Sequence, residues 1–250
     1  MWTVQPKTSL ASGEKAVFQH TLWSRVFAAA RSDSAHSSTA LEELCRLYWY
    51  PIYAFVRRRG YDRQEAADLT QGFFFYLFRG NVLRKANPDR GRFRSFLLGT
   101  LKNFLSHESE KERAIRRGRD TEIVSIDEQG AEGRYVNEPG SSLTPEQMFD
   151  RRWAMTLLEE AMQRLQSEYE RAGMGESFAA VQPYLTGDHE ISFAELGARL
   201  NKSEGASRVM VCRFRDRFRQ LIRAVIADTV SGLEQVEIEL KHLQAALRNS

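Results

Sequence analysis

The chain has 250 residues, 42% hydrophobic and 28% charged, with 36 basic against 33 acidic side chains. That length fits one large or two small domains at ~100–200 residues each, and no run approaches the ~18 apolar residues of a membrane helix. Cys45 and Cys212 stand apart and outside any C-x-x-C spacing, which argues against zinc and disulfide frameworks and for a reducing, cytoplasmic setting.

In chain order, residues 1–19 lack the basic start and apolar stretch of a signal peptide and read as an N-terminal extension. A helical domain is expected over 20–115. Its first clear helix, Leu41 to Val56, is apolar and aromatic and ends in Arg57-Arg58-Arg59-Gly60. Asp62 with Glu65 then forms the pattern of a capping box, in which each side chain bonds an amide in the other's turn. The helix it opens, Gln64 to Phe78, carries five rings between Phe73 and Phe78, which read mostly as core. Gly72 inside it costs ~1 kcal/mol relative to alanine and suggests close packing. A third element, Arg90 to Arg113, can line one face with Phe93, Phe96, Leu97, Leu101, Phe104 and Leu105, leaving Arg92, Arg94, Lys102 and Asn103 to solvent. Charge that tracks phosphates, interleaved with rings that stack on unpaired bases, suits single-stranded nucleic acid. An amphipathic core helix with a wet basic edge reads the same residues equally well.

Charge is sorted along the chain: residues 84–119 hold eleven basic and four acidic residues, 120–150 one and eight, and 199–223 eight and two. Two basic blocks flanking an acidic one suit two contacts with a polyanion, or simply two solvated helix faces. Residues 116–143, acidic with glycines and a proline, read as a flexible acidic interdomain linker. Thr144-Pro145-Glu146-Gln147 opens a second helical domain, expected over 144–228, and the whole chain reads as all-α.

Within that second domain Ser192 and Glu195 form another capping box, before a short helix with Phe193, Leu196 and Leu200 on one face. After Asn201-Lys202, Ser203 caps a long helix whose Val211, Phe214, Phe218, Leu221 and Val225 mark a buried stripe. Arg208, Arg213, Arg215, Arg217 and Arg219 occupy much of the remaining surface. A short helix, a tight turn and a basic second helix describe a helix-turn-helix, whose second helix can enter a major groove. Residues 229–250 form a last amphipathic helix, opened by Ser231 and Glu234, with Leu233, Val236, Leu240, Leu243 and Leu247 at heptad spacing. It is expected to pack on its own helix-turn-helix domain, with a regulatory tail as the alternative.

These motifs together resemble the extracytoplasmic-function (ECF) sigma factors of bacterial RNA polymerase, in a longer-chain branch. Asp68-Leu69-Thr70-Gln71 followed by Phe73-Phe74 resembles the family's helix for the polymerase clamp; Phe93-Arg94-Ser95-Phe96-Leu97 with Asn103 resembles its minus-ten segment. Phe193-Ala194-Glu195-Leu196 through Ser203-Glu204-Gly205-Ala206 resembles its minus-thirty-five helix-turn-helix. The sequence departs from the family pattern at Gly72, Phe96, His107, Ser207 and Met210. The resemblance implies a factor that binds the clamp and flap of core polymerase and promoter DNA and works without cofactor or catalytic group.

By the same resemblance, core binding falls to Asp68, Leu69, Gln71 and Phe74, and minus-ten binding to Asn87, Arg90, Arg92, Arg94, Phe96, Lys102 and Asn103. Minus-thirty-five binding falls to Lys202, Ser203, Glu204, Ser207, Arg208, Val211, Arg213 and Arg215. An anti-sigma factor, or a kinase acting on Ser125, Ser141, Ser142 or Thr144, would be a regulatory partner. The sequence carries no glycine-rich phosphate loop, metal-ligand pair or nucleophile motif, so no enzyme is expected. A stand-alone helix-turn-helix regulator, dimeric through its last helix, and a helical adaptor for acidic proteins are the rival readings.

Overall fold

The structure, a computed structural model, describes residues 35–79, 82–85, 92–115, 132, 135, 142–185, 191–230 and 233–248. The regular elements among them are all helical: α1 (Ala35–Arg58), α2 (Arg63–Arg79), α3 (Val82–Lys85), α4 (Phe93–Ile115), α5 (Pro145–Arg171), α6 (Gly175–Val181), a 3-10 turn (Gln182–Leu185), α7 (Phe193–Arg199), α8 (Glu204–Thr229) and α9 (Leu233–Arg248). No helix of the described residues is long and apolar enough to cross a membrane. The N-terminal extension, most of the acidic linker, and Asn87, Arg90 and Ser231 lie outside the described residues.

Local chemistry sets the helix starts. Asp62 accepts from the Glu65 amide at 2.8 Å while Glu65 accepts from the Asp62 amide at 3.0 Å. Thr144 and Gln147 make the same exchange at 3.2 and 2.8 Å, as do Ser192 and Glu195 at 3.2 and 2.6 Å. Each box satisfies amides that a helix start would otherwise leave unpaired.

The chain divides into two compact units, residues 1–154 with 227–250, and residues 155–226. The first unit packs α1, α2 and α4 through Leu44, Tyr48, Ile52, Phe55, Phe73, Leu77, Phe93, Leu97 and Leu101, all buried. Phe104 meets Phe73 and Tyr76 with centroids 5.7 and 5.5 Å apart, and Tyr48 meets Phe93 edge-on at 5.5 Å. A Cβ on Gly72 would lie 3.4 Å from the Phe104 ring, so alanine there would make ordinary contact. The start of α5 adds Met148, Phe149 and Trp153, and α9 adds Val236 and Leu243.

That placement corrects an expectation. The last helix belongs with the first unit rather than with the residues read as its helix-turn-helix domain. The physical reason is its apolar face, on which Val236 and Leu243 are buried; Glu239, between them, is buried against two arginines of the first unit.

The second unit closes around Tyr169, Phe178 and Phe214, whose three rings meet edge-on with centroids 5.4–5.8 Å apart. Val211, Phe214, Leu221, Val225 and Ile226 form the buried stripe of α8; Leu196 and Tyr184 of the same unit are at 0% exposure.

Candidate nucleic-acid interface

In the second unit the junction of α7 and α8 is fixed by backbone geometry. The Lys202 amide donates to the Gly197 carbonyl at 2.8 Å and the Asn201 amide to that of Ala198 at 3.3 Å. This is a Schellman cap, which needs one residue in the left-handed region; Asn201, at φ 54°, supplies it. A Cβ on Gly197 would lie 2.6 Å from the Lys202 carbonyl oxygen, so only glycine lets the turn fold back this closely. Ser203 then caps α8, accepting from the Ala206 amide at 3.2 Å.

Burial divides the residues expected on this helix. Lys202, Ser203, Glu204, Arg208 and Arg213 are exposed. Arg208 lies 4.9 Å over the Phe193 ring and 2.7 Å from Glu204, so its guanidinium is held on the surface in a defined place. Ser207 and Val211 are corrections. Ser207 is fully buried and its hydroxyl donates to the Ser203 carbonyl; Val211 is 2% exposed in the core stripe. Neither can touch a ligand without unpacking α8.

Arg215 is half-buried. Its Nε and Nη2 both donate to the Tyr184 carbonyl, at 3.0 and 2.6 Å, which staples α8 to the 3-10 turn. Tyr184 in turn donates its hydroxyl to the Ile191 carbonyl, fixing the approach to α7. Arg217 is also engaged within the unit, on both oxygens of Glu168. That bond from Arg217 holds the Glu168 carboxyl below its ordinary range.

The exposed face of α8's first turns carries one residue that pattern reading missed, Val209, at 51% exposure. Its position follows from the stripe: Val211 and Phe214 face inward, and at 3.6 residues per turn Val209 falls on the opposite, outer side of the helix, next to Arg208.

In the first unit the described basic residues of the expected face are paired with the protein's own acids. Arg94 is 8% exposed, bonded to Asp150 and set 4.6 Å over the Trp153 ring, so it is not available to solvent as its spacing suggested. Arg92 lies 2.9 Å from Glu239, and Lys102 lies 2.7 Å from Glu146. The hydrogen bond from Lys102 holds Glu146 below the ordinary carboxylate range. Phe96 is half-buried beside Phe93, while Asn103 is exposed.

Arg57, from the triple arginine, grips Glu132 at 2.8 Å and stacks 4.9 Å over Tyr135. Burial opposes the charge on Glu132, and bonds from Arg57 and Tyr53 outweigh it and keep the carboxyl ionised.

On α2, Asp68, Leu69 and Gln71 are half-buried, with Asp68 accepting from Gln64 at 3.4 Å. Phe74 is another correction: at 5% exposure it packs against Phe73 and Phe78 and belongs to the core. The rings that α2 offers to solvent are its neighbours Tyr76 and Phe75, the latter 56% exposed beneath the Arg79 guanidinium.

Among the described residues no cluster of His, Cys, Asp and Glu could hold a metal ion. Comparison with protein-family models, with curated proteins and with solved structures gives no match.

Proposed function

We propose that the chain is an RNA polymerase sigma factor. In this reading α7 and α8 are a helix-turn-helix that reads the upstream promoter element, α2 docks on core polymerase, and the segment from Arg92 to Asn103 holds the melted minus-ten strand. The observation that carries it is the α7–α8 junction. A capped short helix, a Schellman turn and a buried apolar stripe together leave Lys202, just ahead of a long helix, and Arg208, Val209 and Arg213, on its first three turns, facing solvent. That is where a helix entering a major groove presents its base-reading residues. The exposed Phe75 beside half-buried Asp68 and Gln71 supports a protein-docking role for α2.

One observation favours the rival, a stand-alone helix-turn-helix regulator. Among the described residues Arg92, Arg94 and Lys102 are all ion-paired within the first unit, whereas Lys202 and Arg213 of the second unit are exposed. Gel filtration of the purified chain with core RNA polymerase separates the two readings. A sigma factor co-elutes with core and loses that association in Asp68→Ala, whereas a stand-alone regulator elutes apart while still binding duplex DNA.

A further inference from the structure

Glu239 is out of place as a structural residue. Its side chain is 2% exposed, with one oxygen 2.9 Å from Arg92 Nε and the other 3.4 Å from Arg94 Nε. Neither carboxylate oxygen, nor Arg94 Nε, has a partner in hydrogen-bond geometry. The group therefore gains Coulomb attraction without the aligned bonds that offset burial of a charge, and an apolar side chain of similar size would serve the fold as well or better. Val236 and Leu243 already anchor α9 on either side of it. What the arrangement does resemble is a phosphate clamp: two guanidiniums from the start of α4 converge on one anionic group.

We propose that the Arg92–Arg94 pair is a site for a backbone phosphate of single-stranded nucleic acid, and that Glu239 occupies it as an internal competitor. The strand binds as α9 lifts away. The device rests on the reading of this segment as a strand-binding surface. It goes beyond that reading by assigning α9 a role in regulating it. A 16-residue helix has little stability away from its packing surface, so α9 loses its helical hydrogen bonds as it leaves. Asp150 stays on Arg94 and Glu146 on Lys102 from the start of α5, so the carboxylate that leaves with α9 is that of Glu239.

The test uses the full chain and a fluorescent single-stranded DNA oligonucleotide of mixed sequence, read by anisotropy. Glu239→Gln keeps the shape of the side chain and removes its charge. It should bind about tenfold tighter than wild type, the change expected when a tenth-populated open state becomes dominant. Adding Arg92→Gln should cancel that gain. Glu234→Gln, which removes an exposed acid from the same helix, should leave affinity unchanged and so excludes a general charge effect. Hydrogen exchange over residues 233–248 should quicken when the strand is added to wild type.

If Glu239→Gln binds like wild type while Arg92→Gln alone weakens binding, the strand site stands and the competitor role is wrong. If the strand binds neither wild type nor Glu239→Gln, or binds with no dependence on Arg92, the strand-binding reading itself fails and takes this proposal with it.

Discussion

Replacing Gly197 with alanine sets two opposing effects against each other. Alanine is favoured over glycine in a helix by about 1 kcal/mol, so an unobstructed site would gain stability. At Gly197 the new Cβ would lie 2.6 Å from the Lys202 carbonyl oxygen, 3.2 Å from Ser207 Oγ and 3.3 Å from the Ser203 carbonyl carbon. Two of these three atoms are backbone, and the Lys202 amide is itself tied to the Gly197 carbonyl, so the turn must open to make room. Overpacking of this kind costs about 1–3 kcal/mol. An approach of 2.6 Å to a backbone oxygen places the cost at the upper end of that range, so it exceeds the propensity gain and the net expectation is a loss of about 2 kcal/mol. Urea unfolding followed by circular dichroism measures it, with Gly205→Ala as the internal comparison because nothing lies within 4 Å of its added Cβ. Gly205→Ala should be neutral or mildly stabilising. A Gly197→Ala protein as stable as wild type would mean that α7 and α8 do not meet as described, and the recognition surface built on their junction would go with it.

Further expectations concern the same helices. Arg208→Ala and Arg213→Ala should each weaken duplex DNA binding by roughly tenfold or more with little change in stability, as loss of a base or phosphate contact does. Arg215→Ala should instead lower stability by about 1–3 kcal/mol, because the carbonyl of buried Tyr184 loses the two donors of Arg215; denaturation and gel shift on the same three variants separate these roles. The Arg217–Glu168 pair predicts a pH dependence. Since Arg217 holds the Glu168 carboxyl below its ordinary value of 4.5, the pair contributes stability above that pH and loses it as pH falls through the lowered value. Both side chains are partly exposed, so Arg217→Ala should cost under about 1 kcal/mol at neutral pH, and its unfolding curve should merge with wild type in acid. Phe75→Ala should reduce affinity for core polymerase without destabilising the chain, and unchanged affinity in a binding titration would remove that ring from the docking surface.

Local signals in the sequence survived folding well. The capping boxes at Asp62, Thr144 and Ser192 could be read because each depends on two side chains three residues apart. The apolar stripe of α8 could be read from its spacing, and it also contained the reason Val211 cannot face DNA. Motif resemblance drew Val211, Ser207 and Phe74 outward; packing keeps all three inside. The roles of Arg94 and Arg215 depend on partners distant in sequence, Asp150 and Glu239 for one and a main-chain carbonyl for the other. Helical periodicity says which side an arginine leaves the helix, and says nothing about which acid or carbonyl will be waiting there. For the same reason a heptad pattern marked the last helix as amphipathic without indicating which unit it would cover.

The central claim is that this chain confers start-site selection on RNA polymerase. Transcription of fragmented genomic DNA by purified core polymerase, with and without the chain, followed by sequencing of transcript 5′ ends, tests it most directly. The account predicts new start sites that share an upstream element at fixed spacing and that vanish with Arg208→Ala. Transcripts no different from those of core polymerase alone would contradict it, whatever the chain's affinity for DNA.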